Sequence, residues 1–268
     1  MARRALSPAI GVATQPDRAD RGTEREPGPG GDPASGPEAG NSPEPGSRAV
    51  RRRHALVVTL TFATGSADAM GFLALGGAFS SVMTGNMVLL GLSAGAADAQ
   101  LALTSGAAIL AFVVGLLVGA HLAGSPRADD PVWPRRVTRA LLVELGVLLA
   151  YLAGWEVSQG HRSEHVALVL LMLSAVALGI QSSAVQRFGV NGLSSTYLTG
   201  TLTNFIGDLA ARRPPTSWLP RGQVLLALMS GAAVSALTTV HAPRLAPMLC
   251  VLPLGVVALG ARRIVSER

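Results

Sequence analysis

An all-α integral membrane protein is predicted for this 268-residue chain, and three observations predict it. Eight apolar segments follow one another after residue 53. Two of them are interrupted by a Thr-Gly step. The arginines gather at the ends of the segments, and their distribution favours six spanning helices plus two re-entrant or broken helices. The chain is 49% hydrophobic and 14% charged, and these values include a polar stretch of 47 residues that dilutes the membrane character.

Residues 1–47 are rich in Pro, Gly, Glu and Ser, a composition that cannot bury enough apolar surface to offset chain entropy, and a disordered tail is predicted. No apolar core of a secretory signal precedes Arg48. The polytopic domain then occupies 48–268. Its apolar segments run about 54–77, 79–97, 100–124, 137–157, 165–186, 193–211, 222–241 and 246–264. A helix needs ~20 apolar residues to cross a bilayer.

All 22 basic residues are arginine, which marks topology. Five of them lie in the tail against seven acids, which leaves 17 against nine acids in the rest. With eight crossings and the N-terminus inside, the loops divide 11 arginines inside to six outside. If segments two and six each return to the side they entered from, 15 fall inside, and Arg162 and Arg244 alone lie outside. Cytoplasmic loops carry the excess of arginine, so the six-crossing arrangement is expected, with a cytoplasmic N-terminus in the bacterial inner membrane. These arginines flank apolar segments with few aromatics among them, so their partner is the lipid bilayer and not nucleic acid. The lone Cys250 rules out an internal disulfide and a cysteine metal site.

The two interruptions are FSSVMTGNMVLLG, Phe79–Gly91, and SSTYLTGTLTN, Ser194–Asn204. Thr84-Gly85 and Thr199-Gly200 are 115 residues apart. Gly65 stands to Asp68 as Gly179 stands to Ser182. Two ladders of small residues correspond as well: Ala111, Gly115, Gly119, Ala123, and Ala227, Gly231, Ser235, Thr239. Each ladder occupies one helical face, where helix backbones can approach closely. Two repeats of about 115 residues are predicted, at about 54–157 and 165–264, with the second inverted because three crossings separate them. The ladders pack either within one chain or between copies in a homo-oligomer.

The run from Asp68 to Gly91, with the run GIQSSAVQRFGVNGLSSTYLTGTLTN from Gly179 to Asn204, resembles the YoaK-like family of bacterial inner-membrane proteins over roughly residues 50–265. The resemblance implies a multispanning membrane protein of an uncharacterised family and names no substrate. Where Ser182 stands here, many members of that family have Asn.

Paired breaks in apolar segments point to a binding site near the bilayer midplane. Its expected residues are Asp68, Thr84, Gly85, Asn86, Gln181, Thr199, Gly200 and Asn204. An acid within a spanning helix costs ~2.5–3.5 kcal/mol at the centre, so Asp68 is expected to face protein or water and to serve as a proton or cation site. The alternative is a helix–helix hydrogen bond to Ser, Thr or Gln. Glycine permits an unwound backbone, and Thr and Asn satisfy the amides that a break releases. Helices restarting there would turn amides toward a small anion or carboxylate. Glu144 is expected to be structural, paired with Arg139 or in an interhelical contact, and Asp208 to pair with Arg212 at the rim.

A secondary transporter or channel for a small solute, anionic or proton-coupled, is therefore expected, without cofactor or metal. A scaffold or regulatory membrane protein whose polar motifs only pack helices is the alternative. An intramembrane enzyme is the least supported, because no nucleophile–base pair or metal set stands out.

Overall fold

A bilayer offers the backbone no water, so long uncharged runs close their hydrogen bonds within helices. The structure, a computed structural model, describes residues 45–124, 133–159, 162–187 and 198–266. Among them there are helices and no strands. In order they are α1 Pro45–Ala74, α2 Met83–Ala96, α3 Ala99–Ala123, α4 Arg135–Val157, α5 Glu164–Gln186, α6 Leu198–Ala210, α7 Pro215–His241 and α8 Met248–Ser266. Five are long and apolar enough to cross a membrane: Val50–Ala74 of α1, then α3, α4, α5 and α7. Met83–Ala96 and Met248–Ala261 are shorter apolar helices.

Helix α1 begins at Pro45, ahead of the predicted apolar segment, and includes Arg48 and Arg51–Arg53. The remainder of the predicted tail lies outside the described residues, as do 188–197, which include Ser194–Tyr197 of the second predicted interruption. Local signals set several boundaries. Asp98 caps α3 by accepting from Leu101 N at 2.9 Å, and Ser163 caps α5. Pro214-Pro215 opens α7 a full two turns before its apolar run, because proline at the first helical position needs no N–H donor.

Two helix pairs carry the packing. A Cβ added at Gly231 of α7 would lie 2.1 Å from Phe62 O of α1, and one at Gly65 of α1 would lie 2.2 Å from Leu228 O of α7. In the second pair, a Cβ at Gly115 of α3 would meet Val176 O at 2.2 Å, and one at Gly179 of α5 would meet Phe112 O at 2.4 Å. Both ladders of small residues are therefore used within the chain. Ala111, Gly115, Gly119 and Ala123 are all buried, as are Ala227, Gly231 and Ser235. Hydroxyls reinforce the seams: Ser66 Oγ donates to Gly231 O at 3.1 Å, Ser235 Oγ to Ser66 O at 2.9 Å, and Ser183 Oγ to Leu116 O at 2.8 Å.

The contacts also fix direction. His54 meets Gln223, Phe62 meets Gly231 and Ser66 meets Ser235, so α1 and α7 run parallel. Phe112 against Gly179 and Leu116 against Ser183 make α3 and α5 parallel too. Helix α8 opposes α1, with Cys250 on Ala63 O and Gly260 on Leu56. Helix α4 opposes α5, since Gly154 faces Leu170, and Gly124 at the end of α3 touches both Arg136 and Arg187. Trp155 Nε1 donates to Pro243 O at 2.9 Å and joins the end of α4 to the α7–α8 connection. The Arg162 guanidinium lies 3.7 Å from the Trp155 ring, and burial lowers its pKa from the ordinary value.

Candidate functional site

The first Thr-Gly motif lies where the chain folds back along α1. Asp68 sits six residues before α1 ends, about 9 Å of helix. After Leu75 the backbone turns through Gly76 and Gly77, both at positive φ, and doubles back beside the helix. A Cβ at Gly71 would meet Ala78 O at 2.8 Å. Ser80 Oγ donates to Ala67 O at 3.4 Å and accepts from Ser174 Oγ of α5 at 2.7 Å. Ser81 then gives both its donors to Asp68, its N–H at 2.7 Å to Oδ1 and its hydroxyl at 2.6 Å to Oδ2. Asp68 is 6% exposed and Ser81 5%, so these bonds form out of water.

Helix α2 starts at once from this buried point, without a side-chain cap at Val82. Asn86 is fully buried and closes the break by pairing with the Phe79 backbone: Oδ1 accepts from Phe79 N at 2.8 Å and Nδ2 donates to Phe79 O at 2.6 Å. The side chain thus supplies the two bonds that an interrupted helix leaves open. Phe79 stacks on Phe72 and lies against Gly85, where a Cβ would come within 3.2 Å of the ring. Thr84 faces outward. Helix α2 climbs along α3, with Leu90 beside Gly106, and turns into it through Ala97 in the left-handed conformation.

The second motif is arranged differently. Thr199, Gly200 and Asn204 are exposed on α6, and a Cβ at Gly200 would meet nothing within 4 Å. Helix α2 packs on α3 and α6 on α7, so the two Thr-Gly steps occupy separate parts of the bundle. Asp208 of α6 bonds Arg221 of α7 and lies 3.6 Å from Arg213; its partners are these and not the predicted Arg212, whose left-handed backbone turns it away as α6 ends. Gln181 is buried on α5 and donates to Thr64 Oγ1 of α1 at 2.8 Å. Its Oε1 is buried without a partner.

Sequence reasoning missed Ser81, although Ser80-Ser81 stands directly before the Thr-Gly step. Glu144 was expected in a pair with Arg139 or in an interhelical contact. That carboxylate is fully buried, and neither oxygen has a hydrogen-bond partner. The expected partner Arg139 is exposed. The signal was present in α4: Val137, Leu141, Leu148, Tyr151 and Trp155 form one buried seam in steps of four and three, and Glu144 completes it. Among the described residues, no three His, Cys, Asp or Glu side chains gather as a metal set.

Long apolar helices joined through glycine seams, with a few buried polar groups between them, define a multispanning helical membrane protein. The chain belongs to the family described as "Protein of unknown function (DUF1275)", which matches residues 56–260. It is 33% identical over 164 residues to the UPF0700 transmembrane protein YoaK of Bacillus subtilis (strain 168), an alignment covering 61% of this chain and 70% of that one. No solved structure matches. The family resemblance read from the two Thr-Gly runs is thereby established.

Proposed function

We propose that the chain is a secondary transporter or channel for a small solute, with α1, α3, α4, α5, α7 and α8 crossing the membrane and α2 and α6 each returning to the side they left. The observation that carries this reading is a buried carboxylate at a broken helix, in a bundle whose halves run in opposite senses. The opposed directions of α1 and α5, with Gly71 on Leu171 and Thr64 on Gln181, support the topology. Eight alternating crossings would make α1 and α5 parallel, whereas six crossings oppose them if α2 and α6 add no net crossing. Each helix of the first repeat then opposes its counterpart in the second, as in inverted-repeat carriers. The Arg-rich ends of α1, α4, α7 and α8 share one side, which the positive-inside rule makes cytoplasmic, together with the N-terminus. At 14 and 13 residues, α2 and α6 are about 20 Å long, short of the ~30 Å hydrocarbon core.

In this reading the solute meets the two breaks at separate points of its path, Thr84, Gly85 and Asn86 at the first and Thr199, Gly200 and Asn204 at the second, and Asp68 and Gln181 supply charge and polarity. A cavity of about 1210 Å³ lies beside α1 and α7 at the arginine-rich end. It is lined there by Arg51, Arg53, His54 and Gln223, and reaches as deep as Phe62 and Ser230.

One observation favours a second reading, a non-transporting scaffold: Asp68 and Asn86 direct their hydrogen bonds at the chain's own break. Purified protein in liposomes loaded with a pH-sensitive dye, challenged with alkali cations, inorganic anions and short carboxylates, separates the two. Transport predicts a solute-dependent signal that falls roughly tenfold, or about 1.4 kcal/mol of barrier, in Asp68→Asn and Thr84→Ala. Wild-type rates in both variants would refute the site. Absence of any solute response, with lowered melting temperatures in Asp68→Ala and Asn86→Ala, favours the scaffold. Topology has its own test. In a Cys250→Ala background, a cysteine at Ala97 or Asp98 is expected to react only from outside the cell, and labelling only from the cytoplasm overturns the re-entrant arrangement.

A further inference from the structure

We propose that Glu144 binds and releases a proton inside the bundle, at a site it forms with Gln181 and Cys250. The inference draws on the transport reading only for what the proton would drive; the site stands on its own geometry.

Helix register brings these groups to one level. Gly154 of α4 faces Leu170 of α5, and ten residues back along α4 correspond to ten forward along the opposed α5, which sets Glu144 level with Ile180 and Gln181. Gln181 reaches Thr64 of α1, and Cys250 of α8 lies on the neighbouring Ala63 O. Glu144 faces inward from the α4 seam toward this layer.

Asp68 shows what an acid satisfied by donors looks like in this fold. It receives two short hydrogen bonds from Ser81, and its charge is compensated by donors. Glu144 receives none, and Gln181 Oε1 at the same level is a second buried acceptor without a donor. A carboxylate is acceptor-only, whereas a carboxylic acid carries one O–H donor, so a proton supplies what this layer lacks. A buried ion without donors costs several kcal/mol, so the proton is held in this arrangement and given up when water or a cation reaches the site. The exchange is –COO⁻ + H⁺ ⇌ –COOH and changes the charge of the interior by one. A metal cation is a poorer occupant, because it requires about six oxygen ligands and the layer presents the oxygens of Glu144 and Gln181.

The buried polar groups at or near this level on the packed helices are Gln181 and Ser182 of α5, Cys250 of α8 and Asp68, one turn along α1 from Thr64. Tyr151 on α4 itself bonds Met70 Sδ at 3.5 Å, and His121 near the end of α3 is exposed.

Infrared difference spectroscopy of the purified full chain across pH tests the assignment without any solute. The wild type is expected to show a protonated-carboxyl band that rises and falls with pH. The band should be lost in Glu144→Gln, retained in Asp68→Asn, and shifted in midpoint by Gln181→Leu. A titrating band that survives Glu144→Gln, or its absence from the wild type, overturns the proposal. Glu144→Gln preserves shape, and its melting profile checks that loss of the band is not loss of fold. If liposomes show no solute response while the band behaves as stated, the transport reading fails and the proton site stands.

Discussion

Gly231→Leu and Gly115→Leu are each expected to leave little monodisperse protein after detergent extraction. Water drives no apolar association within a bilayer, so helix pairs hold together by close contact, and whatever separates them removes most of the attraction. Even a methyl group at Gly231 would come within 2.1 Å of a backbone oxygen that belongs to another helix. Overpacking commonly costs about 1–3 kcal/mol in cores able to adjust, and a main-chain contact adjusts least. Gly146→Leu and Gly95→Leu are the controls, because a Cβ at either position meets nothing within 4 Å. Size-exclusion profiles and melting curves should separate the two classes cleanly. A Gly231→Leu protein that elutes and melts like the wild type would show that the α1–α7 contact is not what holds the bundle.

The next largest effect is expected at the break. Asp68→Ala leaves the Ser81 N–H and hydroxyl without an acceptor out of water, each omission costing about 1–3 kcal/mol. Asp68→Asn retains an oxygen for the N–H and a group able to pair with the hydroxyl. Its stability should stay within about 1 kcal/mol of the wild type, near the net value of one hydrogen bond. Asn86→Ala belongs with Asp68→Ala, since it strands the N–H and C=O of Phe79. Thermal unfolding in detergent orders the three. Equal melting of Asp68→Ala and Asp68→Asn would contradict the role of this carboxylate as the anchor of Ser81.

Helix positions were largely legible in the sequence, because the bilayer imposes one rule on every apolar run. The predicted segments at 100–124, 137–157 and 165–186 match α3, α4 and α5 to within two residues at each end. Helix α7 was predicted to start late, since its first two turns carry Trp218, Pro220 and Arg221 and lack an apolar run. The small-residue ladders showed that helices would meet closely, but not which ones: Ser66 and Gly231 are 165 positions apart, and no periodicity encodes that choice. At the site, Asp68 and Asn86 were recognisable by type and depth. Their partners were not, because Ser81 and Phe79 reach them only after the chain reverses at Gly76 and Gly77. For Glu144 the sequence left open a pairing with Arg139 or an interhelical contact, and the first fails on geometry. Five residues along a helix is a turn of about 140°, which points the two side chains to different faces.

The exchange of partners between halves, α1 with α7 and α5 with α3, constrains how the protein can be made. During synthesis α1 enters the membrane with its glycine face open, and the helix that covers it is translated some 165 residues later. At bacterial elongation rates of about 5–20 residues per second, that interval lasts roughly 10–30 s. Neither half can complete itself in the meantime, since each holds a surface whose complement lies in the other. The nascent chain must therefore keep an unsatisfied helix in the membrane until translation is nearly finished, and two separately expressed halves have reason to find each other.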